Sequence, residues 1–162
     1  MSEQRAQLQK ILRLALGTPY PGEREKAVGL LVPRLRQTGL NLHDLDPTFP
    51  PGAQENELRE RAGLCFHFEM TLSSAEEALL FLTLLRRLGP TGSEGKHTTG
   101  HQLQCFSDTA TKERVIRELS RQRAELGARL GAAQQQAQRE YRLRRAELFR
   151  QAVLKLAGEV EL

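Results

Sequence analysis

Cys65, His67, His97, His101 and Cys105 are the densest concentration of soft donor groups in this chain. A Cys-x-His on one extended segment and a His-x3-His-x3-Cys approaching the next can surround a tetrahedral zinc ion, which takes thiolate sulfur and imidazole nitrogen. The spacing argues against that use. No Cys-x2-Cys pair is present, and His97 and His101 lie in a Gly/Thr stretch. The expectation is therefore no bound metal, with Cys65, His67, His101 and Cys105 as the ligand set to check. Cys105 reads as a small apolar side chain turned toward the core.

Other chemistries fail on a missing partner. His67-Phe68-Glu69 has the His-x-Glu of the zinc deaminases, but the accompanying Pro-Cys-x-x-Cys is absent. A Cys–His nucleophile would need a third group to orient the base, and none is evident. Gly89-Pro90-Thr91-Gly92-Ser93 lacks the lysine of a phosphate-binding loop. The sequence thus points away from an enzyme, and to no cofactor or small-molecule substrate.

The elements that would position these residues follow from hydrophobic spacing. Leu8, Ile11, Leu12, Ala15 and Leu16 share one face of a helix over 3–16, which Gly17 ends. A second helix over 22–38 presents Ala27, Val28, Leu30, Leu31 and Leu35, with Gly39 placed to cap it. Pro33 removes one donor inside it and predicts a kink near Gly29. Residues 1–45 thus read as a helical hairpin. Residues 46–62, with Asp46-Pro47 and Pro50-Pro51-Gly52, read as a linker with one helical turn at 55–61.

The pattern then changes period. Leu64, Phe66, Phe68 and Met70 alternate with polar residues, which predicts a half-buried strand. Ser73 or Ser74 starts a helix whose apolar run, Ala78 to Leu85, predicts that Leu79, Phe81 and Leu85 are buried. Residues 91–100 read as a flexible loop and 101–106 as a second strand, parallel to the first because a helical crossover joins them. Residues 63–108 are therefore a strand–helix–strand unit, and Asp108 caps a final helix over 109–162. The fold class is α+β, predominantly helical.

The N-terminal hairpin has a counterpart. Lys10-Ile11-Leu12-Arg13-Leu14-Ala15, the Pro-Gly-Glu turn at 21–23, Glu25 with Ala27, the leucine-rich second helix, Arg36-Gln37-Thr38-Gly39-Leu40 and Asp44-Leu45 carry the pattern. Over residues 8–45 the chain resembles a small helical domain of unknown function found in bacterial and phage proteins. The resemblance implies a phage or mobile-element setting and a mixed α/β region downstream. It implies no activity. Pro33 departs from the uninterrupted second helix of that pattern.

The last third of the chain carries the charge. Residues 109–162 hold twelve Lys/Arg against seven Asp/Glu, whereas residues 1–62 hold nine against eight and residues 63–108 three against five. At about 100° per residue, Val115, Leu119, Leu126, Leu130, Ala133, Ala137, Tyr141, Leu148 and Ala152 form one apolar stripe. The stripe is not a strict heptad, and Arg123 and Arg144 intrude on it, so packing on the domain's own sheet or a short dimer contact is expected over a long coiled coil. Gly127 and Gly131 allow close helix approach or a kink.

Arg114, Arg117, Arg121, Arg139 and Arg150 gather on the opposite face. Such a row can neutralise successive phosphates with little sequence preference. Four-apart pairs such as Arg121–Glu125 give the same row a plain role on a solvated helix. The expected partner is nucleic acid, contacted through the arginine face; the alternative is a protein partner or homodimer on the apolar stripe. No apolar run is long enough to span a membrane. With two cysteines and no export signal, the expected setting is cytoplasmic.

Overall fold

Leu8, Leu12 and Ala15 recur at helical spacing, and in the structure, a computed structural model describing residues 2–160, all three are buried on one face of α1 (Ser2–Gly17). That face meets α2 (Pro21–Thr38), which buries Ala27, Val28, Leu31 and Leu35. Pro21 opens α2, where its missing N–H costs nothing. Gly39 closes it in the left-handed region (φ 71°), its N–H donating to the Leu35 carbonyl. Leu30, expected on the apolar face, is exposed. The helix runs on through Pro33.

Residues 46–62 are not a linker. Phe49, Ala53, Leu58 and Ala62 are buried in the same core as α1 and α2. The turn α3 (Leu42–Leu45) starts with Asn41, whose side chain accepts from the Asp44 N–H while the Asp44 carboxylate accepts from the Asn41 N–H. Asp44 is thus the reciprocal member of the cap. Helix α4 (Glu55–Arg61) then locks the segment down. The Arg61 guanidinium lies 3.7 Å from the Phe49 ring centroid and donates to the hydroxyl and carbonyl of Thr48. Prolines and polar residues mark irregular backbone, but they do not show whether an aromatic side chain between them is buried.

The second core lies under the sheet. Strand β1 (Phe66–Thr71) turns Phe66 and Phe68 inward, against α5 (Ala75–Leu88). Ser74 caps α5 by accepting from the Glu77 N–H. Phe81 and Leu85 are fully buried, as their spacing predicts, but Leu79 is 61 % exposed. The helix covers only one side of the sheet, so Ala78, Phe81, Leu82 and Leu85 face inward and Leu79 faces away.

The expected loop at 91–100 contains a strand, β2 (Glu94–Thr99), hairpinned to β3 (Gln102–Ser107). The order is β1-β3-β2 and both pairings are antiparallel. This corrects the expectation of parallel neighbours. Since both β1 and β2 run against β3, the α5 crossover does join two parallel strands, but β3 is inserted between them. Strand β2 escapes the hydrophobic signal because it is an edge strand with four of its residues, Lys96 to Thr99, exposed in a row.

Helix α6 (Thr109–Val160) completes the fold. Its first turns close the second core through Val115 and Leu119. By its contacts the chain divides after Leu119, so that residues 1–119 form one unit and residues 120–162 another. No helix among the described residues is long and apolar enough to cross a membrane.

Candidate interaction helix

Helix α6 begins where Asp108 accepts from the Thr111 N–H (3.0 Å), an N-cap that its position before the basic run predicts. In the first unit, Val115 is fully buried and Leu119 nearly so, and the Lys112 ammonium sits 4.7 Å from the Phe68 ring centroid. Here the apolar stripe does pack on the domain's own core.

The rest of the stripe belongs to the second unit. In the second unit Leu126, Leu130, Tyr141 and Leu148 are 45–67 % exposed, and Ala137 and Ala152 are exposed too. The expected packing on the domain's own sheet is seen in the first unit, at Val115 and Leu119. Phe149, Val153 and Leu156 add further exposed apolar surface toward the end of the helix. Gly127 and Gly131 stand in open space within an unbroken helix.

The five arginines are all on exposed positions, Arg114 and Arg117 in the first unit and Arg121, Arg139 and Arg150 in the second. Two are engaged within the helix. Arg121 is 2.7 Å from Glu125, as its four-residue spacing predicts, and Arg150 donates twice to Glu147 (2.8 and 3.1 Å). The Arg150 hydrogen bond, with help from Gln151, holds the Glu147 carboxyl below its ordinary value. Such exposed pairs add little stability, and their guanidiniums remain at the surface.

The soft donors are not brought together. Cys105 points into the second core with its neighbours Leu103 and Ser107. His67 is on the outer face of the sheet, its ring 4.7 Å from that of Phe106. His97 and His101 are exposed along the hairpin, and Cys65 is half-buried ahead of β1. Among the described residues no three His, Cys, Asp or Glu side chains are grouped as metal ligands. Burial pushes the Cys105 thiol up to about 11, and Cys65 shifts in the same direction, chiefly by burial and then by the nearby Asp108 charge. Neither is primed as a nucleophile, which requires a lowered pKa.

No sequence signal announces the open groove of about 870 Å3 within the first unit, between the end of α2, the start of α4 and the outer face of the sheet at His67 and Phe106. Its central polar groups are already used. Asn56 binds the main chain of His67, and Arg59 donates to the Cys65 carbonyl (2.6 Å) and pairs with Glu25 (2.8 Å). These groups come from separate elements, so no local motif announces them. Comparison with family models, with curated proteins and with solved structures finds no match to this chain.

Proposed function

We propose that this protein is a protein-interaction module whose docking element is the second unit, the part of α6 beyond Leu119. The observation that carries the reading is the exposure of the apolar stripe. Leu126, Leu130, Tyr141 and Leu148 share one helical face, and at least 45 % of each is exposed. Single exposed leucines are ordinary, but apolar residues recurring on one helix face, here interrupted by Arg123 and Arg144, are a recognised mark of a helix that seats against a partner. Fully burying an exposed side chain of this kind contributes about 1.5–3 kcal/mol, and the share still exposed on these four is what a partner can cover against the cost of association. The test is cross-linking in the source cell followed by identification of the linked proteins. Leu130→Glu with Leu148→Glu should remove the specific partners. An unchanged set of partners would overturn the reading.

A second reading is favoured by the opposite face. Within the second unit, Arg121, Arg139 and Arg150 recur at helical spacing on the side away from the stripe, all exposed. A nucleic acid could lie along this face while a protein occupies the other. Non-specific binding of this kind has Kd of roughly 10⁻⁴–10⁻⁶ M at physiological salt, with a salt slope of about 0.9 per phosphate contact on duplex DNA. Arg139→Glu with Arg150→Glu should weaken binding and flatten that slope. Binding indifferent to both changes would remove this reading and leave the first intact. A cytoplasmic setting and a phage or mobile-element context, the latter from the resemblance over residues 8–45, belong to both readings.

A further inference from the structure

The geometry points to the open groove of the first unit as a binding site for a small organic anion with a flat aromatic body. The site is separate from the docking helix and needs no residue after Leu119. The groove holds about 870 Å3, within the roughly 300–1,000 Å3 of small-molecule sites. Its floor is aliphatic. Leu35, Leu42 and Ala53 belong to the N-terminal core, and Val32 and Leu40 lie half-buried beside them. One wall is aromatic. His67 and Phe106 are register partners on β1 and β3, with ring centroids 4.7 Å apart. They lie on the outer face of the sheet, where Glu69, Thr71, Gln102 and Gln104 are exposed along the same two strands. Phe106 interrupts that polar surface and is only half-buried, so a second flat ring can pack offset or edge-on against it.

The hydrogen-bonding capacity left over in the lining decides the charge. Asn41 spends its Oδ1 on the Asp44 N–H, which leaves its Nδ2 without a partner among the described residues. Arg59 spends Nε on the Cys65 carbonyl and turns its two terminal nitrogens to the Glu25 carboxylate. Each terminal nitrogen keeps one further N–H, because a guanidinium carries five donors and no acceptor. Those same bonds hold Arg59 in place before any ligand arrives. Arg36, in the last turn of α2, lines the groove and has no ion pair or side-chain hydrogen bond among the described residues. Against these donors the lining sets one carboxylate, Glu55, exposed at the start of α4. The complementary ligand therefore brings acceptors. A carboxylate or sulfonate can accept two parallel bonds from the Arg36 fork, while its aromatic body covers the floor and lies against Phe106 and His67. A cation would face the Arg36 and Arg59 guanidiniums, and an uncharged ring would leave the Arg36 donors to water.

The experiment uses the full chain and two probes with the same flat body. Anilinonaphthalenesulfonate carries the anion; phenylnaphthylamine lacks it. On nitrogen-labelled protein, the anion should shift the amides of residues 39–42, 53–56, 67 and 106, and the shifts should saturate. It should bind about 3- to 10-fold tighter than the neutral probe, the range for one charged contact at an exposed rim. Arg36→Glu should erase that preference and leave the affinity for the neutral probe unchanged. Val32→Trp, which fills the floor from a half-buried position, should weaken both probes. Thermal melting checks that each variant folds, and Arg36→Glu at its exposed position carries the test if the tryptophan does not. Leu130→Glu with Leu148→Glu, in the second unit, should alter neither affinity. Shifts confined to residues 120–160 would put the probe on the exposed stripe and overturn the groove as the site. Equal affinities for the two probes, or a preference that survives Arg36→Glu, would overturn the anion. Groove shifts that grow with protein concentration in the absence of probe would make a second copy of the chain the occupant instead, and no saturable shift there would overturn the site outright.

Discussion

The side-chain amide of Asn56 pairs with the main chain of His67 as a neighbouring strand would. Its Nδ2 donates to the His67 carbonyl and its Oδ1 accepts from the His67 N–H, each at 2.7 Å. Strand β1 is an edge of the sheet, and a free edge invites pairing with another chain. Helix α4 thus closes that edge at one point and ties the two cores of the first unit together. Arg59, on the same helix, extends the seal by donating to the Cys65 carbonyl.

Asn56→Ala removes both bonds at once. They lie at the surface, so water can replace them, and each is worth about 0.5–1.5 kcal/mol net. The expected loss is about 1–2 kcal/mol, read as a lower urea midpoint with an unchanged slope. Asn56→Asp should lose nearly as much, because the carboxylate cannot donate to the His67 carbonyl. Unchanged stability in both variants would show that the α4–β1 junction is held by Leu58 and Arg59 alone.

Phe81 and Leu79 sit two positions apart in the same apolar run and should behave in opposite ways. Phe81 is fully buried beneath the sheet, and its truncation to alanine should cost about 3–5 kcal/mol. Leu79 is 61 % exposed, so Leu79→Ala should change stability by no more than about 0.5 kcal/mol. Thermal unfolding of the two variants side by side checks the orientation of α5. Equal losses would mean that the helix is rotated from the position described.

Those two residues also show where sequence reading succeeds and stops. The alternation at 64–70 and the caps at Gly39, Ser74 and Asp108 are local signals, and each element they mark is present. Leu79 was legible as helical but not as exposed, because which side of a uniformly apolar run faces inward depends on what covers it. Strand β2 was hidden since its partner, β3, supplies the hydrogen bonds while its own side chains face water. The apolar stripe of α6 is legible in the sequence. Its meaning depends on where the core ends, and only the structure places that at Leu119.

Two classes of glycine should respond to alanine with opposite sign. Gly95 lies against α5, and a Cβ there would come within 2.5 Å of a Leu82 methyl and 3.3 Å of the Cys105 sulfur. Gly95→Ala must push on a buried leucine, and overpacking of this kind costs about 1–3 kcal/mol. Gly131 is helical with nothing within 4 Å. Gly131→Ala should raise helix stability by about 0.8–1.0 kcal/mol, visible as increased helical circular dichroism at elevated temperature. A destabilising Gly131→Ala would mean that a second helix approaches closely at that point.

Cys105 should make the fold sensitive to alkali. Its thiol is pushed up from the ordinary 9.0 to about 11 by burial, with Lys112 opposing weakly. The folded state therefore holds this proton more tightly than the unfolded chain does. The contribution to stability is fully present below about pH 9, where both states are protonated, and is lost as pH rises through about 11. Cys65 shifts in the same direction and should add to the trend. The measurement is the urea midpoint at several pH values from 8 to 11 for the wild type and for Cys105→Ala. The variant should start lower, having lost buried volume, but fall less steeply across that window. At pH 8 an aromatic disulfide reagent should label Cys65 slowly and Cys105 only on unfolding. Rapid labelling of Cys105 in the folded protein, or identical slopes for the two proteins, would place its sulfur outside the core.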